Sequence, residues 1–559
     1  MASSKLKRAA EAAPSDQPWL VLLLAVAAAV LYLASELYVF GGLALPLDDS
    51  WIHLQFARQM ATGGGLAYND GEWIPGSTAP LWTALLALGF VVPGAALAWA
   101  KALGVAFYLG TVHATDRLAA ELALSDGLRR LAGVLTAATP WLVWSALSGM
   151  EVCLFTFLSL WGIVLHLRER RSPSRTPASL ALFAVAVLAR PEGLLLLLLA
   201  LIDRGLRFAV SPADTPLVLT GSSTSRSAWT TGLLASAIVL LPTWIFFQLT
   251  GGSILPTTFA VKSSPTIDWL PSSRYLKVVI DIVFGAQPIM LLLAGAGALR
   301  LIERLGTRRD HGLLPALWPI GLALTYSLLA APQGPIVVGN FGRYYFPILP
   351  VVVVLGVLGL QEAGRRLGPA VVAAGRHLPL RAVLVIALIA PQLVALAGGV
   401  PRYLQTLANV EDSDVKAARW LAERLPPEAL LAVQDIGAIK YHLPNPVVDL
   451  AGIINPDILP FLHGSGPQDP VYWEERLLRY LSERKPDYLV VFPQSYPQLT
   501  SARYGFRKIQ GFPVRHNVTM AGDELAIFAT PWTRHPLAAA PDRAAPEAGV
   551  PATETPTSG

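Results

Sequence analysis

The sequence predicts a polytopic α-helical membrane protein with a soluble α/β domain at its C-terminal end. Of its 559 residues, 53% are apolar and only 14% are charged, and the mean hydropathy is +0.50. Soluble domains carry about 25% charged residues. Several apolar runs approach the roughly 20 residues that a helix needs to cross a bilayer. After residue 400 the pattern changes, because short apolar strands alternate there with amphipathic helices.

The first apolar run, residues 18–40, follows the basic stretch 5–8 and is too long for the core of a signal peptide. We therefore expect an uncleaved span with the N-terminus in the cytoplasm, which leaves residues 41–78 outside. The next run, 80–92, is too short to cross comfortably. If it crossed, the basic loop 168–175 would lie outside, against the positive-inside rule. We expect an interfacial or re-entrant helix there instead.

The later spans are placed so that the basic loops stay in the cytoplasm. Residues 178–202 are expected to form a hairpin of two short helices, because Pro191 interrupts the apolar run. The other spans are expected near residues 97–115, 131–147, 150–167, 229–250, 276–300, 313–331, 344–361 and 382–400. With about 11 crossings, an odd number, the chain after residue 400 lies outside.

The sequence divides into a cytoplasmic N-terminus (1–17), a membrane domain (18–400), an outer α/β domain (401–534) and a disordered tail (535–559). In the outer domain, residues 412–425 read as an amphipathic helix capped by Asp412. Strands are expected at 430–435, 446–450 and 487–492, with a helix near 470–484. The tail is rich in Ala, Pro, Thr and Glu.

Composition also argues against some partners. Basic cytoplasmic loops account for the net charge of +5 better than nucleic-acid binding does. The single cysteine, Cys153, lies in an apolar run, which argues against disulfides and cysteine-ligated metal clusters.

Polar motifs gather on the outer face in this topology. An ionisable residue near bilayer depth costs several kcal/mol unless it is paired or hydrated, so it marks a functional site by default. The residues concerned are Asp48, Asp49, His53, Arg58, Asn69, Glu72, Glu151, Lys262, Arg343 and the pair Arg190 and Glu192.

The stretch DDSWIHLQFAR predicts a helix that begins at Asp48 and lies on the bilayer surface. Asp49 and His53 are four residues apart and share one face. A helix cap needs only one aspartate, so the second is available for chemistry. His53 alone fits a hydrogen-bonded interfacial histidine as well as a catalytic or metal-binding one.

The glycine-rich loop 63–82 that follows contains Asn69, Glu72 and Trp82. It is either a turn-rich connector or a loop that shapes a pocket, and its length and polarity suit the second role.

Two cationic motifs lie on the same face: LPTTFAVK, which ends at Lys262, and NFGRYYFPILP, which contains Arg343 and Tyr344. Each alone is typical of an interfacial anchor. Beside the carboxylates, however, the cations suit a phosphate, because arginine offers forked donors and lysine a point charge.

A carboxylate opposite phosphate-binding cations suits one reaction in particular. The carboxylate deprotonates an acceptor hydroxyl, and the cations stabilise a departing lipid phosphate. The donor would be a polyprenyl-phosphate sugar. A cytosolic nucleotide-sugar donor is disfavoured, because no Walker or GxGxxG motif precedes the spans.

Six motifs in register between about residues 45 and 455 resemble the GT-C superfamily of integral-membrane glycosyltransferases: DDSWIHLQFAR with its glycine-rich loop, SGME, RPEG, LPTTFAVK, NFGRYYFPILP and DIGAIKY…VVDLAG. The chain is most similar to the bacterial branch that includes the mycobacterial terminal arabinofuranosyltransferases. The resemblance implies a protein of the bacterial cytoplasmic membrane with a polyprenyl-phosphate sugar donor. It also implies inverting transfer to an extracytoplasmic glycan, lipid or protein and a divalent cation (Mg²⁺, Mn²⁺ or Ca²⁺).

The resemblance also suggests roles for individual residues. Asp48 and Asp49 match the acidic motif, with Asp49 as general base and Asp48 beside His53 as candidate metal ligands. The expected donor-phosphate ligands are Lys262, Arg343, Arg190 and Tyr344, and the expected pocket residues are His53, Arg58, Asn69, Glu72, Trp82, Glu151 and Glu192. Ser50–Trp51 and the motif PGSTAPLW depart from the family pattern, which leaves the sugar and the acceptor open.

Two other functions remain open from the sequence. A transporter or flippase for a lipid-linked saccharide would line its path with these charges. Against it, the charges gather at one face and no internal repeat is visible. An inactive membrane scaffold with a partner-binding outer domain is the other alternative.

Overall fold

The computed structural model describes residues 18–171, 177–210, 222–258, 288–305, 307, 311–329, 340–374, 380–462 and 470–538. Its first half is helical. The helices are α1 (Pro18–Phe40), α2 (Asp48–Ala61), α3 (Pro80–Ala87), α4 (Ala96–Glu121), α5 (Asp126–Ala137), α6 (Pro140–Leu147), α7 (Val152–Arg171), α8 (Ala178–Ala189), α9 (Gly193–Val210) and α10 (Ser222–Gly251). They are followed by α11 (Pro288–Arg304), α12 (Leu314–Leu329), the 3₁₀ segment Asn340–Ile348, α13 (Leu349–Ala374) and α14 (Leu380–Val410).

Several predicted elements are present. Helix α1 has the expected bounds, α2 begins at Asp48, and α8 and α9 are separated at Arg190 as the proline predicts. The expected single span 131–147 is instead two helices, α5 and α6, because Pro140 starts a new helix at its first turn.

The prediction of a new helix capped by Asp412 is wrong. Helix α14 continues through one π-helical turn, Glu411–Val415, into α15 (Lys416–Ala422). Asp412 therefore lies inside a continuous helical stretch and has no N-terminus to cap.

Five helices within the described ranges are long and apolar enough to cross a membrane: Trp19–Phe40, Val152–Arg171, Thr230–Gly251, Gly342–Arg366 and Val385–Ala422. Three shorter apolar helices accompany them: Pro80–Phe90, Ala178–Ala189 and Leu314–Tyr326. The count of eleven crossings stays a prediction.

Helices α11 and α13 pack closely through glycines. A Cβ on Gly359 would lie 1.9 Å from the Leu293 carbonyl oxygen, and one on Gly297 would lie 2.0 Å from the Leu355 oxygen. Small residues let helix backbones approach in this way in membrane proteins. The contact fixes α13, and with it the 3₁₀ segment that precedes α13.

The C-terminal part is built on a five-stranded sheet with the order β2-β1-β3-β5-β4. Its elements are β1 (Leu431–Val433), α16 (Ile436–His442), β2 (Val447–Asp449), α17 (Leu459–Leu462), α18 (Pro470–Arg484), β3 (Tyr488–Val491), β4 (Arg507–Pro513) and β5 (Glu524–Ala529). β1 pairs in parallel with β2 and β3, whereas β5 is antiparallel to β3 and β4. Strands β4 and β5 were not predicted.

The first outer loop and this sheet share a core. Ile52 and Phe56 of α2 pack with Leu431 and Ile436, and Tyr68 joins the same cluster. The Tyr68 hydroxyl donates to the Ile436 carbonyl at 2.9 Å. Helix α2 therefore lies between the helical part and the sheet and contacts both.

Candidate functional site

Seven ionisable or aromatic side chains meet where α2, α7, α9 and α13 begin, and we call them the charged cluster: Asp49, His53, Glu151, Arg190, Glu192, Arg343 and Tyr344. Asp49 and His53 lie in the first two turns of α2, and the others come from the residues just before a helix. Two tight turns bring in a pair of them, because Gly149 and Gly342 adopt φ values of 76° and 66° shortly before Glu151 and Arg343. Glycine reaches such values without steric cost. The Ser50 hydroxyl donates to the Ser148 carbonyl at 2.6 Å and so ties α2 to the first of these turns.

Arg190 is the centre of one half of the cluster. Its Nη1 lies 2.6 Å from Glu151 Oε1, and its Nη2 lies 2.6 Å from Glu192 Oε1. His53 Nε2 lies 3.2 Å from the other Glu151 oxygen. Arg190 is 4% exposed and Glu151 is 3% exposed. Buried charges of this kind persist only when they are paired.

Tyr344 connects this half to the other. Its ring centre lies 4.9 Å from Arg190 Cζ and 5.5 Å from Arg343 Cζ. Arg343 in turn forms an ion pair with Asp49. The ring therefore separates two guanidinium groups that would otherwise repel each other, and it offers each of them a favourable cation–π contact.

Some buried polar atoms of the cluster have no hydrogen-bond partner among the described residues: Nε and Nη1 of Arg343 and Nδ1 of His53. Buried polar groups are normally satisfied. Two buried guanidinium nitrogens without such a partner are suited to the oxygens of an anion.

Asp48 turns away from the cluster. Its two carboxylate oxygens accept from the backbone N–H groups of Gly437 and Ala438, each at 2.7 Å, at the start of α16. Its own helix is preceded by Leu47, which makes no side-chain cap. Burial raises the pKa of Asp48 to about 7 in spite of these two N–H donors. Asp48 thus caps a helix in the C-terminal part.

Three predicted pocket residues lie apart from the cluster. Arg58 Nη1 donates to the Tyr441 carbonyl at 2.8 Å, and Asn69 Nδ2 donates to Glu72 Oε2 at 3.1 Å and to the Val447 carbonyl at 3.2 Å. Arg58 and Asn69 therefore hold the C-terminal sheet against the first outer loop, with Glu72 beside them.

Trp82 is fully buried, and its Nε1 donates to the Gly149 carbonyl at 2.9 Å. In this position Trp82 supports the turn before Glu151. Lys262 lies outside the described residues.

The geometry does not fit a metal bound by Asp48 and His53. Both Asp48 oxygens are engaged with backbone N–H groups, and His53 Nε2 faces Glu151. Within the described ranges, no three His, Cys, Asp or Glu side chains are grouped as a metal site.

A second buried ion pair was not predicted. Lys101 Nζ lies 3.0 Å from Glu36 Oε2, 3.0 Å from the Tyr403 hydroxyl and 2.8 Å from the Leu147 carbonyl. It joins α1, α4 and α14 just behind the turn that carries Glu151. The sequence shows Glu36 and Lys101 inside apolar runs, but it does not show that the two side chains contact each other. Tyr326, whose hydroxyl contacts Glu192, gave no signal at all.

The fold has known relatives. ArnT from Cupriavidus metallidurans, solved with undecaprenyl phosphate, is 15% identical, with a TM-score of 0.55 over 92% of this chain and 98% of that one. The archaeal oligosaccharyltransferase AglB from Archaeoglobus fulgidus, in complex with an inhibitory peptide and a dolichol-phosphate, is 12% identical, with a TM-score of 0.54 over 95% of this chain and 75% of that one. An Archaeoglobus fulgidus oligosaccharyltransferase solved with Zn and sulfate is 14% identical, with a TM-score of 0.53 over 84% and 67%.

These likenesses confirm the fold that the resemblance to the GT-C superfamily implies; the arabinofuranosyltransferase branch stays a prediction. Residues 403–528 match the model of a domain of unknown function, DUF8728. A search of curated proteins found no match.

Proposed function

We propose that this protein is a membrane glycosyltransferase that transfers a sugar from a polyprenyl-phosphate donor to an acceptor outside the cytoplasm. The observation that carries the proposal is the charged cluster. It places a carboxylate, Asp49, against an arginine that has unused buried donors, in the fold of ArnT bound to undecaprenyl phosphate. The proposal keeps the division into a cytoplasmic N-terminus, a membrane domain to residue 400 and an outer domain; residues 1–17 and most of the tail, 539–559, lie outside the described residues.

In this proposal Arg343 binds the donor phosphate with Nε and Nη1. Arg190 donates from all three guanidinium nitrogens to Glu151 and Glu192, so in this proposal it holds Tyr344 beside Arg343, and Lys262 is a further phosphate ligand. Glu151 and Glu192 hold the Arg190 guanidinium in place from two sides. A phosphate that leaves with a negative charge is stabilised most by donors that are already oriented towards it.

The acceptor hydroxyl oxygen attacks the anomeric carbon. The bond between that carbon and the phosphate oxygen breaks, and polyprenyl phosphate leaves with the bonding electrons. Asp49 takes the hydroxyl proton. A single displacement of this kind inverts the anomeric configuration. No step of this reaction depends on a divalent cation, and the assay tests whether one is required.

The proposal is tested with purified protein in detergent, supplied with radiolabelled polyprenyl-phosphate pentoses and hexoses and a panel of octyl-linked oligosaccharides, with EDTA or with added Mg²⁺, Mn²⁺ or Ca²⁺. We expect labelled product without any membrane gradient. A transporter would instead move the lipid-linked saccharide only in sealed vesicles, and a scaffold would yield no product in either format.

A further inference from the structure

Asp435 occupies a distinctive position in the C-terminal sheet. It follows β1, which lies between β2 and β3 and is parallel to both. The chain leaves β1 for β2 on one side and later returns to β3 on the other side. In sheets of this kind, ligands bind outside the carboxyl ends of the strands at the point where the strand order reverses. Asp435 lies at that point.

This end of the sheet lies against the acidic pair of α2. The N–H groups of Gly437 and Ala438 bind the Asp48 carboxylate, and a Cβ on Gly437 would lie 2.1 Å from the Asp48 carbonyl oxygen. No side chain fits between the two backbones. Asp435, two positions before Gly437, is therefore held beside the start of α2. Asp49, a member of the charged cluster, lies in the first turn of that helix.

Within the part of the chain that the structure describes, the Asp435 carboxylate has no evident structural role. It makes no side-chain cap on α16, and it is partly exposed. Asp449, which ends β2, is different, because its two oxygens accept from the backbone N–H groups of Ala451 at 2.8 Å and Ile454 at 3.0 Å. Burial, together with Asp48, Asp49 and Asp449, raises the pKa of Asp435 well above its ordinary value. Several carboxylates are thus held together at a cost in stability, which is typical of a site kept for binding.

We propose that Asp435 is an acceptor-binding residue, and that the C-terminal sheet forms the acceptor side of the charged cluster. This inference rests on the proposed function. The ligand class is a glycan, because one carboxylate accepts from two neighbouring sugar hydroxyls at once. Asp435 holds one hydroxyl of such a pair towards Asp49. The domain of unknown function at 403–528 then has a role in choosing the acceptor.

The first test is Asp435→Asn in the full-length protein. The probes are octyl-linked disaccharides and trisaccharides of pentoses and hexoses, with binding measured by calorimetry and transfer by the radiolabel assay. We expect the Kd and the KM for the saccharide that binds wild type to rise about tenfold or more, as for a lost hydrogen bond to a charged group. Binding of undecaprenyl phosphate should stay unchanged. The matched control, Asp523→Asn, removes an exposed carboxylate just before β5 of the same domain and should behave as wild type.

A second measurement does not depend on turnover. Because burial and the neighbouring carboxylates disfavour the ionised form of Asp435, Asp435→Asn should raise the melting temperature at pH 8 and have little effect at pH 4. A structural role for Asp435 predicts the opposite, a loss of stability at pH 8.

The outcomes separate the two proposals. If wild type transfers sugar and Asp435→Asn keeps the wild-type Kd and KM for the saccharide, Asp435 is not an acceptor ligand and this inference is wrong. If wild type binds none of the saccharides, the inference is also overturned. If wild type binds a saccharide through Asp435 but transfers no sugar from any donor, the proposed reaction fails while the acceptor site stands.

Discussion

At the scale of single residues, the adjacent aspartates of α2 have separate partners. Neighbouring residues on a helix project about 100° apart, so both carboxylates cannot reach one atom. Asp48 binds two backbone N–H groups of α16, and Asp49 pairs with Arg343 in the charged cluster. The proposed division of labour therefore has a geometric basis: Asp48 positions and Asp49 reacts.

Asp49→Asn should reduce kcat by roughly 10²–10⁴, the usual contribution of a positioned proton acceptor. The amide keeps the shape of the side chain but cannot take the proton. Donor binding should be retained, and wild-type turnover in this variant would remove Asp49 as the base. The radiolabel assay measures the first quantity and calorimetry with undecaprenyl phosphate the second.

Arg343→Ala should weaken binding of undecaprenyl phosphate by about 1.5–3 kcal/mol, the range for hydrogen bonds to charged groups. Lys262→Ala should have the same effect if its side chain reaches the phosphate. Arg402→Ala is the matched control, since Arg402 is exposed and packs on Trp141 instead of joining the cluster. Equal affinities in all three variants would make Arg343 and Lys262 interfacial anchors.

At the scale of secondary-structure elements, the important contact is between α2 and α16. Their ring contacts extend it beyond Asp48, because Trp51 lies 4.9 Å from the ring of Tyr441 and 5.1 Å from the ring of His442. The contact joins α2 to one end of the sheet. It also encloses carboxylates whose charge depends on pH.

Asp48 and Asp449 should each contribute stability that increases as the pH is lowered from about 8 to 5. Burial raises the pKa of Asp48 to about 7 and that of Asp449 to about 6, whereas an unfolded aspartate titrates near 3.8. Groups with raised folded-state pKa values add stability below the unfolded pKa, and this stability is lost as the pH rises through the folded values. The test compares the melting temperatures of wild type and Asp449→Asn in detergent across this range, because the lowered pKa of His442, about 4, gives the opposite trend equally in both proteins. The same change in melting temperature from pH 8 to pH 5 in both proteins would contradict it.

The packing of α11 on α13 gives a test within one helix. Gly359→Ala would place a methyl group 1.9 Å from the Leu293 oxygen and should destabilise the protein by about 1–3 kcal/mol. Gly364→Ala on the same helix meets nothing within 4 Å and should be neutral or slightly stabilising. Thermal unfolding of the two variants distinguishes them, and equal melting temperatures would mean that the helices do not approach this closely.

Features that depend on local interactions could be predicted from the sequence, whereas features that depend on distant backbone groups could not. Hydropathy placed α1, and Pro191 placed the break between α8 and α9, because both effects are local. Arg190 and Arg343, which the sequence predicts at one face, lie on either side of the Tyr344 ring. The partners of Asp48 are backbone N–H groups about 390 residues away, and such donors leave no trace in side-chain identity. Arg58 and Asn69 bind backbone carbonyls in the C-terminal part. Because every residue has such a carbonyl, the sequence could not distinguish this structural role from a role in the pocket.

At the scale of the whole molecule, the described residues of the helical part place buried ion pairs at two separate levels. One is the charged cluster, with the Glu36–Lys101 pair behind it. The other surrounds Asp203, whose Oδ2 lies 2.7 Å from His166 Nε2. In the proposed orientation the first level faces outwards and the second faces the cytoplasm.

The orientation predicts that a tag placed after residue 535 reacts with an impermeant reagent in intact cells, whereas a tag near residue 215 does not. The reason is the alternation of basic loops. Labelling of both tags after lysis is the control. If the tag near 215 reacts in intact cells, the charged cluster lies on the cytoplasmic side and the proposed donor chemistry fails.

The bond between Asp48 and the N–H of Gly437 spans 389 positions of the chain, and this has a consequence for biosynthesis. At about 5–20 residues per second, the ribosome needs roughly 20–80 s to add the stretch between them. During that time Ile52 and Phe56 lack the sheet residues that later cover them. The nascent protein therefore depends on the translocon, on chaperones or on the lipid surface to shelter α2, and it gains a complete site only when synthesis is nearly finished.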